Sequence, residues 1–149
     1  MKILLLNGPN ISFLGRREPH IYGNATLDDL VKDLTVKARD KGVELDAFQS
    51  NIEGELVNAI LSAYGKYDGI ILNPAAFTHT SVALRDAIQA VAIPCVEVHI
   101  TNTLAREDFR HTSLTAAACI GQIMGFGLFS YTLALEAIVF FIKTKQKRS

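Results

Sequence analysis

The chain has 149 residues, 49% of them hydrophobic, and its 15 Lys and Arg balance 15 Asp and Glu. A chain of this length buries roughly 68–70% of its unfolded surface, enough for one substantial core, so one domain over residues 1–149 is expected. A formal charge of zero excludes an overall positive field for nucleic acid or an anionic membrane, and any anion has to be recognised locally.

Apolar runs of strand length alternate with helical patterns. The first run, residues 3–6, meets Gly8-Pro9 after four apolar positions, too short for a secretory leader, so none is expected. Residues 27–41 place Leu27, Leu30, Val31, Leu34 and Ala38 on one helical face, with Thr26 as candidate N-cap and Gly42 as the stop. There follow a strand over 44–48, a helix over 53–64, a strand over 69–72, a helix over 81–91 with Ser81 as cap, and a strand over 95–98. A strand over 118–124 and a helix over 130–142 complete the series, and the basic tail 143–149 reads as disordered. Tyr64 and Tyr67 read as packing groups, and Phe126, Phe129, Phe140 and Phe141 as fillers of the core or of a subunit contact.

Residues 114–142 carry a single charge, Glu136, but Gly121, Gly125 and Gly127 leave only 128–142 unbroken, short of the ~20 residues a membrane span needs. Cys95 and Cys119 lie in apolar runs without metal-ligand spacing, which suits buried thiols in a reducing compartment and predicts the cytoplasm. Alternating strands and helices imply right-handed crossovers and a parallel sheet. Five strands fit an α/β, doubly wound, flavodoxin-like arrangement in the order 2-1-3-4-5.

Polar residues gather where three of these strands end: Asn73 to Ser81, Glu97 to Asn102, and Arg106 to His111. Ligands of open parallel sheets bind outside the carboxyl ends of the strands, so one shared pocket is implied. Glu97 and His99 lie two apart on a strand and share a face, which lets the carboxylate fix the imidazole's tautomer. Arg110, on a strand-end loop, offers a planar fork for a carboxylate.

The first strand-to-helix connection is anomalous. Such loops commonly take 2–6 residues, whereas residues 7–25 carry Asn10, Arg16, Arg17, Glu18, His20 and Tyr22 among Gly8, Gly15 and Gly23. A polar loop of this length at the ligand end reads as a lid over about 8–25, with a plain surface loop as the alternative. Deprotonating a phenol at neutral pH costs about 4 kcal/mol from its ordinary pKa near 10, and an Arg cation within about 4–6 Å lowers a pKa by roughly 1–3 units. Arg17 beside Tyr22 would make that phenol a general base. The spacing permits the pairing without fixing it.

Plainer readings stand beside these. His79 could cap the Ser81 helix, Asn73 could close a turn before Pro74, and Glu97, His99, His79 and His111 could ligate zinc or manganese. His20 and His111 read more simply as solvated loop residues. A Schiff-base route needs a desolvated lysine, but Lys66 is the only lysine between Lys41 and Lys143 and precedes the third strand, at the wrong end of the sheet. A nucleotide-binding or flavin-carrying module lacks both glycine-rich phosphate motifs in the first loop, and a catalytically silent assembly subunit is a further alternative.

Gly8-Pro9-Asn10, Gly15-Arg16-Arg17-Glu18-Pro19, Ile21-Tyr22-Gly23, the run from Thr78 to Ala87, and Glu97-Val98-His99 resemble the type II 3-dehydroquinate dehydratases. Ala105-Arg106-Glu107, Phe109-Arg110, Ser113 and Gly125-Phe126-Gly127 continue the match, in order, over residues 1–142. Ser12 and Leu104 stand where many relatives carry Asn and His, Thr101 where Ser is common, and Phe77 where Tyr or another bulky residue is frequent.

The resemblance implies a cofactor-free lyase of the shikimate pathway that dehydrates 3-dehydroquinate to 3-dehydroshikimate through an enolate. The same dehydration also serves quinate breakdown. Carried over by residue, Tyr22 takes the proton and Arg17 lowers its pKa, Asn10 holds a water against the enolate oxygen, and His99, oriented by Glu97, protonates the leaving hydroxyl. Asn73, His79, Ile100, Thr101 and Arg110 would grip the substrate. Arg106 would belong to the lid's closing network, Asp86 would reach a neighbouring subunit's pocket, and trimers would stack into a dodecamer.

Overall fold

A computed structural model describes residues 1–16 and 18–149, the side chain of Tyr22 excepted. Five parallel strands, β1 (Lys2–Asn7), β2 (Glu44–Gln49), β3 (Gly69–Asn73), β4 (Cys95–His99) and β5 (Gly121–Met124), form one sheet in the order β2-β1-β3-β4-β5. This is the expected doubly wound order. The helices are α1 (Pro19–Tyr22), α2 (Leu27–Asp40), α3 (Glu53–Ser62), α4 (Val82–Val91) and α5 (Phe129–Arg148).

Side chains alternate across a strand, so each strand feeds two cores. Ile3, Leu5, Ile71, Val96 and Val98 pack with Leu30 and Leu34 of α2 and Ala134, Leu135 and Ile138 of α5. Leu4, Leu6, Ile70, Leu72 and Cys95 pack on the opposite face with Leu56 and Ile60 of α3 and Leu84 and Ile88 of α4. Apolar residues on both faces are what a covered parallel sheet demands. Glu97 and His99 share the parity of Cys95, so they emerge on the α3/α4 face, both buried.

Local signals hold at the helix starts. Thr26 and Asp29 form a reciprocal capping box, and Ser81 Oγ accepts from the Leu84 N–H at 2.9 Å. Three expectations need correction. The strand expected over 118–124 begins at Gly121, because Ala116–Ala118 form a 3-10 turn whose first N–H is capped by Ser113 Oγ at 3.0 Å, and alanine has little strand preference to resist it. The basic tail expected to be disordered continues α5 to Arg148, since Lys and Arg are good helix formers and cations suit a helix C-terminus. Tyr64 is exposed rather than packed, whereas Tyr67 donates to Asp46 at 2.6 Å. Phe126, Phe129 and Phe140 are exposed, which removes them from this chain's core.

The connection over residues 7–25 is more structured than a floppy loop. It makes a 3-10 turn at Ile11–Phe13, buries Leu14 in the core and forms the short α1. Its root is tied down by Gly8, whose N–H donates to the Asn73 carbonyl at 2.7 Å. A Cβ at Gly8 would lie 2.5 Å from the Pro74 carbonyl oxygen, so only glycine lets the ends of β1 and β3 approach this closely. Gly8→Ala is therefore expected to cost about 1–3 kcal/mol by forcing a backbone shift. A urea titration with an unchanged m-value and a lowered midpoint checks this.

Candidate functional site

At the carboxyl ends of β1, β3 and β4 lies a cavity of about 190 Å³ lined by Asn10, Asn73, His79, His99, Ile100, Thr101, Arg106 and Arg110, with Leu14, Ala75 and Thr103 among the remaining wall. Three strand-end stretches, supplying Asn73 and His79, His99 to Thr101, and Arg106 and Arg110, thus line one cavity, with Asn10 joining them from the first connection. A smaller cavity of about 80 Å³ shares His79, His99, Thr103 and Arg110 with it and runs behind them to Leu104, His111 and Ser113.

Glu97 sits behind the wall with no exposed surface. Its Oε2 accepts from His99 Nε2 at 3.1 Å, Gln122 Nε2 at 2.6 Å and Ser113 Oγ at 3.0 Å. Its Oε1 accepts from Thr78 Oγ1 at 3.0 Å, Ser113 Oγ at 3.2 Å and the hydroxyl of Thr115. Burial alone would raise this carboxyl's pKa. Hydrogen bonds from His99, Thr115 and Thr78, together with the electrostatic pull of His99, outweigh it and hold the group below its ordinary value. An ionised Glu97 accepts only, so His99 Nε2 must carry a proton towards it, and Nδ1 is left for the cavity.

Asn73 is anchored on two sides. Its Oδ1 accepts from the Ala75 N–H at 3.0 Å and its Nδ2 donates to Tyr131 Oη at 2.7 Å, while Tyr131 donates to Asn7 Oδ1 at 2.7 Å. Asn10 adopts a left-handed backbone (φ 70°), and its N–H donates to Asn51 Oδ1 at 3.0 Å. Gln49 Nε2 braces the same loop by donating to the Gly8 carbonyl at 3.2 Å.

Arg110 Nε donates to Glu107 at 2.5 Å, the guanidinium stacks 4.9 Å from the Phe109 ring, and this pairing holds the Glu107 carboxyl below its usual range. A guanidinium fork of this kind is the geometry that a carboxylate takes with two parallel bonds. His79 Nδ1 bonds the Thr112 carbonyl at 2.8 Å, which fixes the ring at the cavity edge rather than as a helix cap. His111 Nε2 bonds the Arg106 carbonyl at 3.0 Å and straps the loop. The four side chains considered as metal ligands are thus each turned to a protein partner, and among the described residues no three His, Cys, Asp or Glu group together. Ile100 buries its side chain in the core while its carbonyl accepts from the Gly127 N–H at 3.0 Å. Asp86 lies on the exposed face of α4, outside this cavity. Arg17 and the side chain of Tyr22 lie outside the described residues.

The family model for Dehydroquinase class II matches residues 1–139. The chain belongs to the class II dehydroquinase family. A protein of Geotalea daltonii named 3-dehydroquinate dehydratase is 57% identical over 143 residues, 96% of this chain and 99% of that one. A Clostridium acetobutylicum protein of the same name is 52% identical over 138 residues, 93% and 96% of the two chains. The crystal structure of type II dehydroquinase from Butyrivibrio crossotus superposes with a TM-score of 0.91 at 46% identity, covering 93% of this chain and 97% of that one.

For this class II dehydroquinase chain, the sequence reading missed the donors that hold Glu97. Thr115 and Gln122 were not singled out, and Thr78 and Ser113 entered only through the resemblance. Their signal was indirect: a buried carboxylate on a strand requires several donors, and the segments near Thr78 and Ser113 are rich in hydroxyls. Tyr131 and Asn7 were missed because a tyrosine in an apolar helix and an asparagine at a strand end look like ordinary structure.

Because the folded Glu97 pKa lies below its unfolded value of about 4.3, its contribution to stability is complete above that value and is lost as pH falls through the folded pKa. The stability gap between wild type and Glu97→Gln should thus be widest near neutrality and shrink below about pH 4, measured by urea titrations across pH.

Proposed function

We propose that this chain removes water from 3-dehydroquinate to give 3-dehydroshikimate, serving the shikimate pathway. The observation that carries the reading is the fixed Glu97–His99 pair at the cavity wall, in a chain that belongs to the class II dehydroquinases. An imidazole whose Nε2–H is held by a buried anion turns Nδ1 to the cavity, and when protonated there it suits delivery of a proton to a departing hydroxyl.

In this reading the phenolate of Tyr22 takes the proton beside the ketone, and the Arg17 guanidinium makes that phenol acidic. The resulting enolate is stabilised by a water held on Asn10. The carbon–oxygen bond then breaks as the His99 imidazolium, its Nε2–H held by Glu97, gives the proton on Nδ1 to the hydroxyl, which leaves as water while the ring becomes neutral. Arg110 takes the substrate carboxylate with its terminal nitrogens, and Asn73, His79, Ile100 and Thr101 meet the hydroxyls. Arg106 closes the lid network. The roles of Arg17 and Tyr22 rest on sequence motifs, whereas those of His99, Glu97 and Arg110 have the geometry above in support. All of this takes place in a single catalytic domain without a cofactor.

The exposed position of Asp86 on α4 and the exposed aromatics Phe126, Phe129 and Phe140 support an assembly in which Asp86 completes a neighbour's pocket, built of trimers stacked into a dodecamer in the cytoplasm. Light scattering on purified protein checks the assembly, and a monomer at working concentration would refute it.

Ultraviolet absorbance of the conjugated product, with no metal added, tests the reaction. Wild type should turn over. Tyr22→Phe should lose roughly 10²–10⁴-fold in kcat while retaining substrate binding, and borohydride with substrate should leave wild type active. Turnover surviving in Tyr22→Phe would assign the base to another group.

A further inference from the structure

Behind the cavity, three polar side chains form a chain of hydrogen bonds with only one possible direction. The Ala75 backbone N–H is an obligatory donor, and its partner is Asn73 Oδ1 at 3.0 Å. The Asn73 amide therefore turns its nitrogen, not its oxygen, to Tyr131 Oη at 2.7 Å. The Tyr131 hydroxyl, accepting there, spends its single proton on Asn7 Oδ1 at 2.7 Å. All three residues are buried, and Asn7 and Asn73 are register partners across β1 and β3.

We propose that Tyr131, backed by Asn7, is a positioning residue that locks the Asn73 carboxamide so that it offers the cavity one N–H and never its oxygen. Asn73 lines the cavity, and an NH₂ group carries two protons. One goes to Tyr131 and the other is left for a ligand. The atom that meets Asn73 must then be an acceptor, a hydroxyl lone pair or a carboxylate oxygen, and a ligand presenting a donor at that point is disfavoured. Burial pushes the Tyr131 phenol well above its ordinary pKa despite the opposing hydrogen bond from Asn73, so it stays protonated and the direction of the chain does not change with pH. The amide is thereby oriented before the ligand arrives, which lowers the ordering cost of binding.

The inference rests on the dehydratase reading for its kinetic arm and for the ligand shift, but not for the unequal protection of the two amide protons. In wild type, ¹⁵N-resolved exchange should show one Asn73 Nδ2 proton protected from solvent and the other shifting when 3-dehydroshikimate is added. Equal exchange of the two protons would overturn the proposal. Tyr131→Phe keeps the ring and removes the hydroxyl; it should equalise the two protons and raise KM about 3- to 10-fold, the loss of one oriented hydrogen bond, with kcat nearly unchanged. Ile138→Val, on the same helix and buried but outside the chain of bonds, controls for lost stability and should leave KM at the wild-type value. A Tyr131→Phe enzyme with wild-type KM, or an Ile138→Val enzyme with the same rise in KM, would reduce the triad to a structural element. If wild type fails to turn over 3-dehydroquinate, the dehydratase reading falls, and the exchange experiment alone still decides whether the amide is locked.

Discussion

The buried carboxylate of Glu97 organises everything around it. An ion taken fully out of water costs several kcal/mol unless its lone pairs are met, and here the donors come from four directions: Thr78 after β3, His99 on β4 itself, Ser113 and Thr115 from the loop that follows, and Gln122 on β5. Meeting that one charge ties four segments together at the carboxyl end, beyond the apolar packing that β3, β4 and β5 share lower down. Two of these segments also bring a cavity-facing neighbour: His79 follows Thr78, and Arg110 precedes Ser113 on the same loop. Satisfying Glu97 and assembling the cavity wall are thus a single structural event.

Much of the sheet could be read in advance because parallel strands covered on both faces are apolar throughout and announce themselves. The shared face of Glu97 and His99 follows from the two-residue strand period alone. Strand-end polarity placed Asn73, His79, Thr101, Arg106 and Arg110 in one cavity before any coordinates. Other features resisted. The alanines at 116–118 look like strand until Ser113 caps their turn, and the basic end of α5 looks unstructured only if its helix propensity is ignored. The hydroxyls around Glu97 were illegible because nothing local links Thr78 to Thr115; only the fold does. Asp86 was singled out from a motif alone, and one copy of the chain does not bring it to the cavity.

The division of labour across the sheet has a physical basis. The α2/α5 face is nearly all hydrocarbon, apart from Tyr131, and supplies rigidity. On the α3/α4 face, hydrocarbon gives way to charge and hydroxyls only at the carboxyl end, where Glu97 and His99 replace the leucines and isoleucines found lower down. Chemistry is thus confined to the layer where loops can close over it, and the apolar layers beneath keep its geometry from drifting.

The bond between Tyr131 and Asn7 joins positions 124 residues apart. A chain leaving the ribosome has therefore completed β1 and β3 long before the residue that bridges their ends exists. The brace behind Asn73 cannot form until α5 has been made, and every shorter nascent chain holds Asn7 and Asn73 without their common partner. Whatever quality control the cell applies to partly made copies, a braced Asn73 is a mark that only a nearly finished chain can display.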